Sequence, residues 1–327
     1  MDSERTLVLL DTNKARSILN GSPRYDGFDF GRDFKEMMTF IHENNLSDNV
    51  TFAITEMTLK ELLIQKKKTY ENDRENLISA SSRLRNLETV SIPDFTLPDD
   101  SFDCITYLTP KFEAFLQENN IELIKIEAEK KALVLDSLIQ NVIDVKPPFK
   151  LGKNNNSSGH GFKDAVILET INHSRIINNY ANVILLTDDN DFNNCEINVD
   201  DINFKMTKSY ADLIEDLKSM YAKQLLEKKY ADLSKNQYII DNLKQLISSE
   251  LDSTVENVDI VSLTEDIIDA PSQLKDKFAS LDEDEEYFEN MVCFVSKIRI
   301  TDSQYVVNIL IDLGSNEIET IQVEIVS

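Results

Sequence analysis

The sequence predicts an α/β protein: a parallel sheet flanked by helices, carrying a helical insertion, followed by a smaller C-terminal α+β domain. Short apolar runs, "TLVLL" (6–10), "NVTFAI" (49–54) and "NVILLT" (182–187), stop at acids or cap-forming residues, as strands covered on both faces do. Amphipathic segments of helical period separate them, which favours a parallel sheet. Beyond residue 250 the pattern turns to β runs, the last setting Ile321, Val323 and Ile325 against Gln322 and Glu324.

In chain order, the first strand ends at Asp11, with Thr12 and Asn13 as turn or cap residues. Phe34, Met37, Met38 and Ile41 mark a helix within 29–46. After the second strand, Thr55 is placed to cap a helix running from Glu56 to about Tyr70, and a further helical stretch of mixed charge covers 72–88. Residues 91–101 read as a loop, 109–120 as a helix, 121–126 as a strand or extended link, and 127–143 as another helix. "KPPFKLGKNNNSSGHG" (146–161) holds three of the seven glycines and reads as a loop. A helix follows at 162–176, and a long charged helical stretch covers 208–249. "MVCFVSKIRIT" (291–301), "QYVVNILIDLG" (304–314) and "IETIQVEIV" (318–326) are strands, with a hairpin turn at "LGSNE". This divides the chain into 1–210, with 70–150 as the helical insertion, a connector at 211–250, and a β-rich domain at 251–327.

Composition narrows the function classes. No apolar run reaches the ~18 residues that a membrane helix needs, and the N-terminus starts acidic, unlike a secretory leader. The three cysteines, Cys104, Cys195 and Cys293, are too far apart for a disulfide framework or a CxxC zinc pattern, so a reducing cytoplasm is expected. The net charge of -25 opposes passive adhesion to a polyanion. It is uneven: residues 225–327 carry 22 acids and 8 bases, net -14, which leaves -11 for the first 224 residues. A carboxylate cluster filled with divalent cations would reverse the sign locally.

Several acids fall at strand ends or on the first turns beyond them: Asp11, Glu61, Asp164, and the group Asp188, Asp189 and Asp191 in "LLTDDNDF". In a parallel sheet the carboxyl ends of the strands share one edge, where ligands gather. Singly, each acid has an ordinary explanation: Asp11 or Asp191 as a cap, Glu61 as a solvated helix residue, Asp164 as a partner of a helix dipole. Together they would repel one another unless a hard cation such as Mg²⁺ or Mn²⁺ joined them. Glu56 competes with Glu61 for the second position.

In that order the motifs resemble the PIN-domain nucleases: "LVLLDTN", "TLKELL", "GFKDAVILET" and "LLTDDNDF", over residues 5–205, in a form similar to larger bacterial PIN-like proteins. The gap of 103 residues between Glu61 and Asp164 exceeds that of compact members. The resemblance implies a catalytic, metal-binding quartet of Asp11, Glu61, Asp164 and Asp189, with Asp191 as a further ligand and Asp188 in a variable slot. Asn13 and Thr187 would orient the ligands by hydrogen bonds. It further implies a Mg²⁺- or Mn²⁺-dependent endoribonuclease, with single-stranded or flap DNA as the rival substrate. A role in bacterial stress response or phage defence is part of the same implication, and an inactive PIN-like scaffold is the competing class. Lys66, Lys67 and Lys68, with Lys146, Lys150, Lys153 and Lys163, flank two of the acids and are the candidates for nucleic-acid binding. The β edges of the C-terminal domain offer a surface for a homo-oligomer or a protein partner.

Overall fold

The structure, a computed structural model, describes residues 5–16, 27–85, 96–97, 102–149, 161–192, 195, 202–233, 237–251, 259–300, 303–315 and 317–325. It divides into two compact units, Met1–Glu215 and Asp216–Ser327. Elements of the first unit are β1 (Thr6–Leu10), α1 (Thr12–Ala15), α2 (Arg32–Glu43), β2 (Val50–Thr55), α3 (Glu56–Leu84), α4 (Cys104–Glu118), β3 (Ile121–Ile124), α5 (Lys131–Ile143), α6 (Phe162–Asn172), β4 (Asn182–Leu186), β5 (Asn203–Thr207) and α7 (Tyr210–Met220), the last crossing into the second unit. The sheet runs β3-β2-β1-β4-β5, parallel throughout.

The period-2 alternation of strand side chains explains the two layers that cover this sheet. Leu7, Leu9, Ala53, Val183 and Leu185 pack on one face with Ile167, Leu168 and Ile171 of α6 and with Phe192. On α2, Phe34, Met37 and Ile41 are buried at helical spacing, and Phe34 meets Phe52 of β2 edge-on at 5.2 Å. Phe30 extends this aromatic contact to Phe34 and to Phe112 of α4.

Residues 70–150 are more than a helical insertion. Ile121–Ile124 joins the sheet as β3, in parallel register with Phe52–Thr55. The two helical stretches expected at 56–70 and 72–88 are one 29-residue helix, α3, because no Gly or Pro interrupts the run. Thr55 caps it as expected, its hydroxyl accepting from the Thr58 N–H at 3.1 Å. Within the expected loop at 146–161, residues 150–160 lie outside the described part.

The second unit contains α8 (Ala222–Leu233), α9 (Gln237–Glu250), β6 (Asp259–Ile268), α10 (Pro271–Lys277), β7 (Met291–Ile300), β8 (Ser303–Asp312) and β9 (Ile318–Ile325). The strands form an antiparallel sheet in the order β6-β7-β8-β9. Leu243 and Ile247 of α9 share a core with Val292, Phe294, Val307, Ile309 and Ile321. Leu274 and Phe278 pack against Met291, Cys293 and Leu310 on the alternate face. Of the segment read as a connector, α8 and α9 therefore belong to this unit, and α9 completes its core. Asp312 shapes the β8–β9 hairpin by accepting from the N–H groups of Gly314 and Ser315, both at 2.7 Å. Among the described residues no helix is long and apolar enough to cross a membrane.

Candidate metal and active site

The chain leaves β1 for β2 on one side and returns through β4 on the other, so β1 and β4 are neighbours at the switch point of the sheet. Crevices at the carboxyl ends of strands form at such points. Asp11 stands there, directly after β1, its N–H donating to the Leu186 carbonyl at 3.1 Å. It caps α1: its Oδ1 accepts from the Thr12 N–H at 2.6 Å. Its Oδ2 accepts from the Thr187 hydroxyl at 2.7 Å. Cap and candidate site residue are thus one. Burial pushes the Asp11 carboxyl up, the Thr187 and Thr12 hydrogen bonds pull it down, and the charges of Glu61 and Asp189 add to the rise.

Glu61 reaches the same crevice from the second turn of α3. Its Oε2 accepts from the Thr12 hydroxyl, and its Oε1 lies 2.5 Å from the Lys163 ammonium. Glu56 does not take this place. The two acids are five helical positions apart, a rotation of about 140°, and Glu56 pairs with Lys60 at 3.2 Å.

Asp164 lies in the first turn of α6, which starts at Gly161 in the left-handed region with φ +87°. A Cβ at Gly161 would stand 2.7 Å from the Pro148 carbonyl carbon, so both conformation and space require glycine. The Asp164 carboxyl is pushed up to about 6, by burial first and then by the charges of Asp189, Asp11, Asp191 and Glu61.

The β4 loop supplies the remaining acids. The Asp189 N–H donates to Thr187 Oγ1 at 3.0 Å, and Asp189 Oδ1 accepts from the Asp191 N–H at 2.8 Å. Carboxylate oxygens of Asp164, Asp189 and Asp191 lie within 4.8 Å of one another. Asp188 points elsewhere, to Lys14 at 2.5 Å, with its side chain 61% exposed. Asn13 Nδ2 donates to Thr187 Oγ1 at 3.4 Å, so the two residues expected to orient ligands meet each other, and Thr187 carries the contact to Asp11.

The sequence reading overlooked two residues. Thr12, beside a conspicuous Asp, gave no sign that its hydroxyl meets Glu61, 49 residues away. Cys195 donates its thiol to the Asp191 carbonyl at 3.3 Å, and burial together with Asp164 and Asp191 pushes that thiol up to about 11, far from a reactive thiolate. Of the lysines, Lys66 donates to the Gly27 carbonyl and stacks on Phe28 at 4.3 Å, tying α3 to the chain before α2. Lys67 pairs with Glu71, Lys68 is exposed, Lys146 pairs with Asp144, and Lys150 and Lys153 lie outside the described residues.

The donor set fits a hard divalent cation. It consists of carboxylate oxygens at a partly covered edge, and Asp164 already resists ionising beside its neighbours. Fold and site together define an α/β protein with a carboxylate cluster at the switch point of its sheet. The PIN domain family profile matches residues 8–192, more than half of the sequence and inclusive of all five acids, and the chain belongs to the PIN-domain family. Members of this family are usually metal-dependent nucleases. Among solved structures, the chain is similar to one described as VapBC2 from Rickettsia felis bound to a DNA fragment from their promoter. It has 14% identity and a TM-score of 0.28, with 61% of this chain and 98% of that one covered. A likeness at that score bears no weight for substrate or partners. No curated protein matches the chain.

Proposed function

We propose that the protein is a Mg²⁺- or Mn²⁺-dependent endonuclease that hydrolyses RNA phosphodiesters at the Asp11–Glu61–Asp164–Asp189–Asp191 cluster. The observation that carries the proposal is the convergence of three carboxylates within 4.8 Å, with Asp11 and Glu61 coupled to them electrostatically. Asp164, Asp189 and Asp191 would hold the cation, which would supply Lewis acidity and make bound water more acidic.

The chain's own residues fix the frame. Thr187 links Asp11 to the start of the β4 loop, Thr12 links Asp11 to Glu61, and the Asp189–Asp191 turn sets the spacing of two ligands. In the hydrolysis, a water oxygen bonds to phosphorus and the bond from phosphorus to one ester oxygen breaks. A water proton is released, and the leaving oxygen ends as a hydroxyl. RNA is preferred over single-stranded or flap DNA on the family resemblance, which also supports a stress or defence role. The second unit, with β6 and β9 outermost in its described sheet, is the proposed surface for self-association or a partner.

The test incubates RNA, single-stranded DNA and flap DNA with the protein, with Mn²⁺ or EDTA, beside Asp11→Asn and Asp189→Asn. Metal-dependent RNA cleavage that both substitutions abolish is expected. Cleavage surviving both would overturn the site, and absence of any cleavage with no metal bound would favour a scaffold.

A further inference from the structure

The five acids are not in equivalent environments. Both Asp11 oxygens accept hydrogen bonds, from Thr12 N and Thr187 Oγ1. Both Glu61 oxygens are engaged as well, one by the Thr12 hydroxyl and one by the Lys163 ammonium at 2.5 Å. Oxygens of Asp164, Asp189 and Asp191 converge on one another, with Asp189 Oδ1 also accepting from the Asp191 N–H. The cluster therefore holds a converging triad beside a pair, Asp11 and Glu61, whose four carboxylate oxygens all meet donors. Lys163 stands at the division: it precedes Asp164 in the first turn of α6, yet its ammonium lies on Glu61 of α3. Its side chain is 64% exposed while that of Glu61 is 14% exposed, so the cation reaches from the solvent side onto a mostly covered carboxylate.

We infer that Lys163 is the second cation of the site. One divalent ion takes the Asp164–Asp189–Asp191 side, and the Lys163 ammonium neutralises the Glu61 side and contacts a non-bridging phosphate oxygen of the substrate. The phosphate contact rests on the nuclease reading above; the division of charge stands on the geometry alone. Two considerations support it. A second Mg²⁺ demands near-ideal octahedral oxygen geometry, and at Glu61 Oε1 it would have to displace the ammonium. An ammonium also has three donors on a flexible stem, so one can stay on Glu61 while another meets a phosphate oxygen. Because α6 carries Lys163 and Asp164 in succession, one helix start fixes the lysine beside one of the ion's ligands.

The experiment is a calorimetric titration of the full chain with Mn²⁺ alone, for wild type, Lys163→Met and Lys163→Arg, with melting curves to confirm folding. Wild type and Lys163→Arg should bind one ion, whereas Lys163→Met, with Glu61 freed, should bind two. In single-turnover RNA cleavage, Lys163→Met should be slower on the order of 100-fold, the usual loss when a preorganised charge is removed, and should recover partly at Mn²⁺ levels that fill the second position. In an Asp189→Asn background, Lys163→Met should also lower the slope of log affinity against log salt for RNA by about 1. Two ions on the wild type, or one ion on Lys163→Met together with wild-type cleavage, would overturn the inference. If no form cleaves RNA, the nuclease reading fails, and the one-to-two change in stoichiometry decides the division of charge independently.

Discussion

Thr12 joins two acids that lie fifty positions apart: its N–H donates to Asp11 Oδ1 at 2.6 Å and its hydroxyl donates to Glu61 Oε2. The residue is buried, so both donors work away from bulk water. Removing the hydroxyl alone should therefore loosen Glu61 and leave the Asp11 cap in place. Thr12→Val should lower cleavage about 10-fold, and melting should show a loss of about 1 kcal/mol, the usual net worth of one buried hydrogen bond. Thr12→Ser should restore both. Equal activity in Thr12→Val and wild type would show that Glu61 needs no such support.

Asp188 and Asp191 flank Asp189 in sequence but differ in role. Asp191 contributes an oxygen to the triad, while Asp188 turns outward to Lys14. Calorimetry with Mn²⁺ should find affinity reduced at least ~10-fold in Asp191→Asn, in the range seen when groups that set a metal site are lost. Asp188→Asn should stay within about 2-fold, because an exposed ion pair contributes little. Equal losses in both would mean that the acidity of the loop matters and its geometry does not.

The contrast shows what the sequence made legible. β1, β2 and β4 stood out because short apolar runs ended at Asp11, Thr55 and Thr187, and those ends carry the candidate site. β3 was legible only as a strand or an extended link, because Glu122 breaks its short apolar run, and β5 did not stand out, because this edge strand alternates polar with apolar and exposes Lys205. β6 escaped notice because Glu265 and Asp266 interrupt its apolar pattern near an irregular register. Local motifs gave the acids and favoured Glu61 over Glu56 through "TLKELL", but only tertiary placement could separate Lys163 on Glu61 from Lys66 on Phe28.

Gly161 is a remote control on the site. Its positive φ and the closeness of the Pro148 carbonyl leave no room for a side chain. Gly161→Ala should therefore displace the first turn of α6, which carries Lys163 and Asp164. We expect a melting loss of about 1 kcal/mol or more from the left-handed strain, together with weaker Mn²⁺ binding although no ligand is changed. Unaltered Mn²⁺ affinity would show that the α6 start absorbs the shift.

The raised carboxyl of Asp164 gives a pH signature with a definite sign. In the folded, metal-free protein it holds its proton up to about 6, against 3.8 for an ordinary Asp. Folding is therefore favoured by this group when it is protonated in both states, below about 4, and the advantage disappears as pH rises through 6. Asp29, Asp103 and Asp312 have lowered carboxyls and act in the opposite direction, so the bulk pH profile conceals the effect. Comparison with Asp164→Asn isolates it. In EDTA, the melting temperature of the variant minus that of wild type should grow more positive from pH 4.5 to 7. Adding Mg²⁺ at pH 7 should reverse the order, because the cation stabilises ionised Asp164 and has one ligand fewer in the variant. A melting difference that stays constant across this range in EDTA would show that Asp164 is not under the strain of its neighbours.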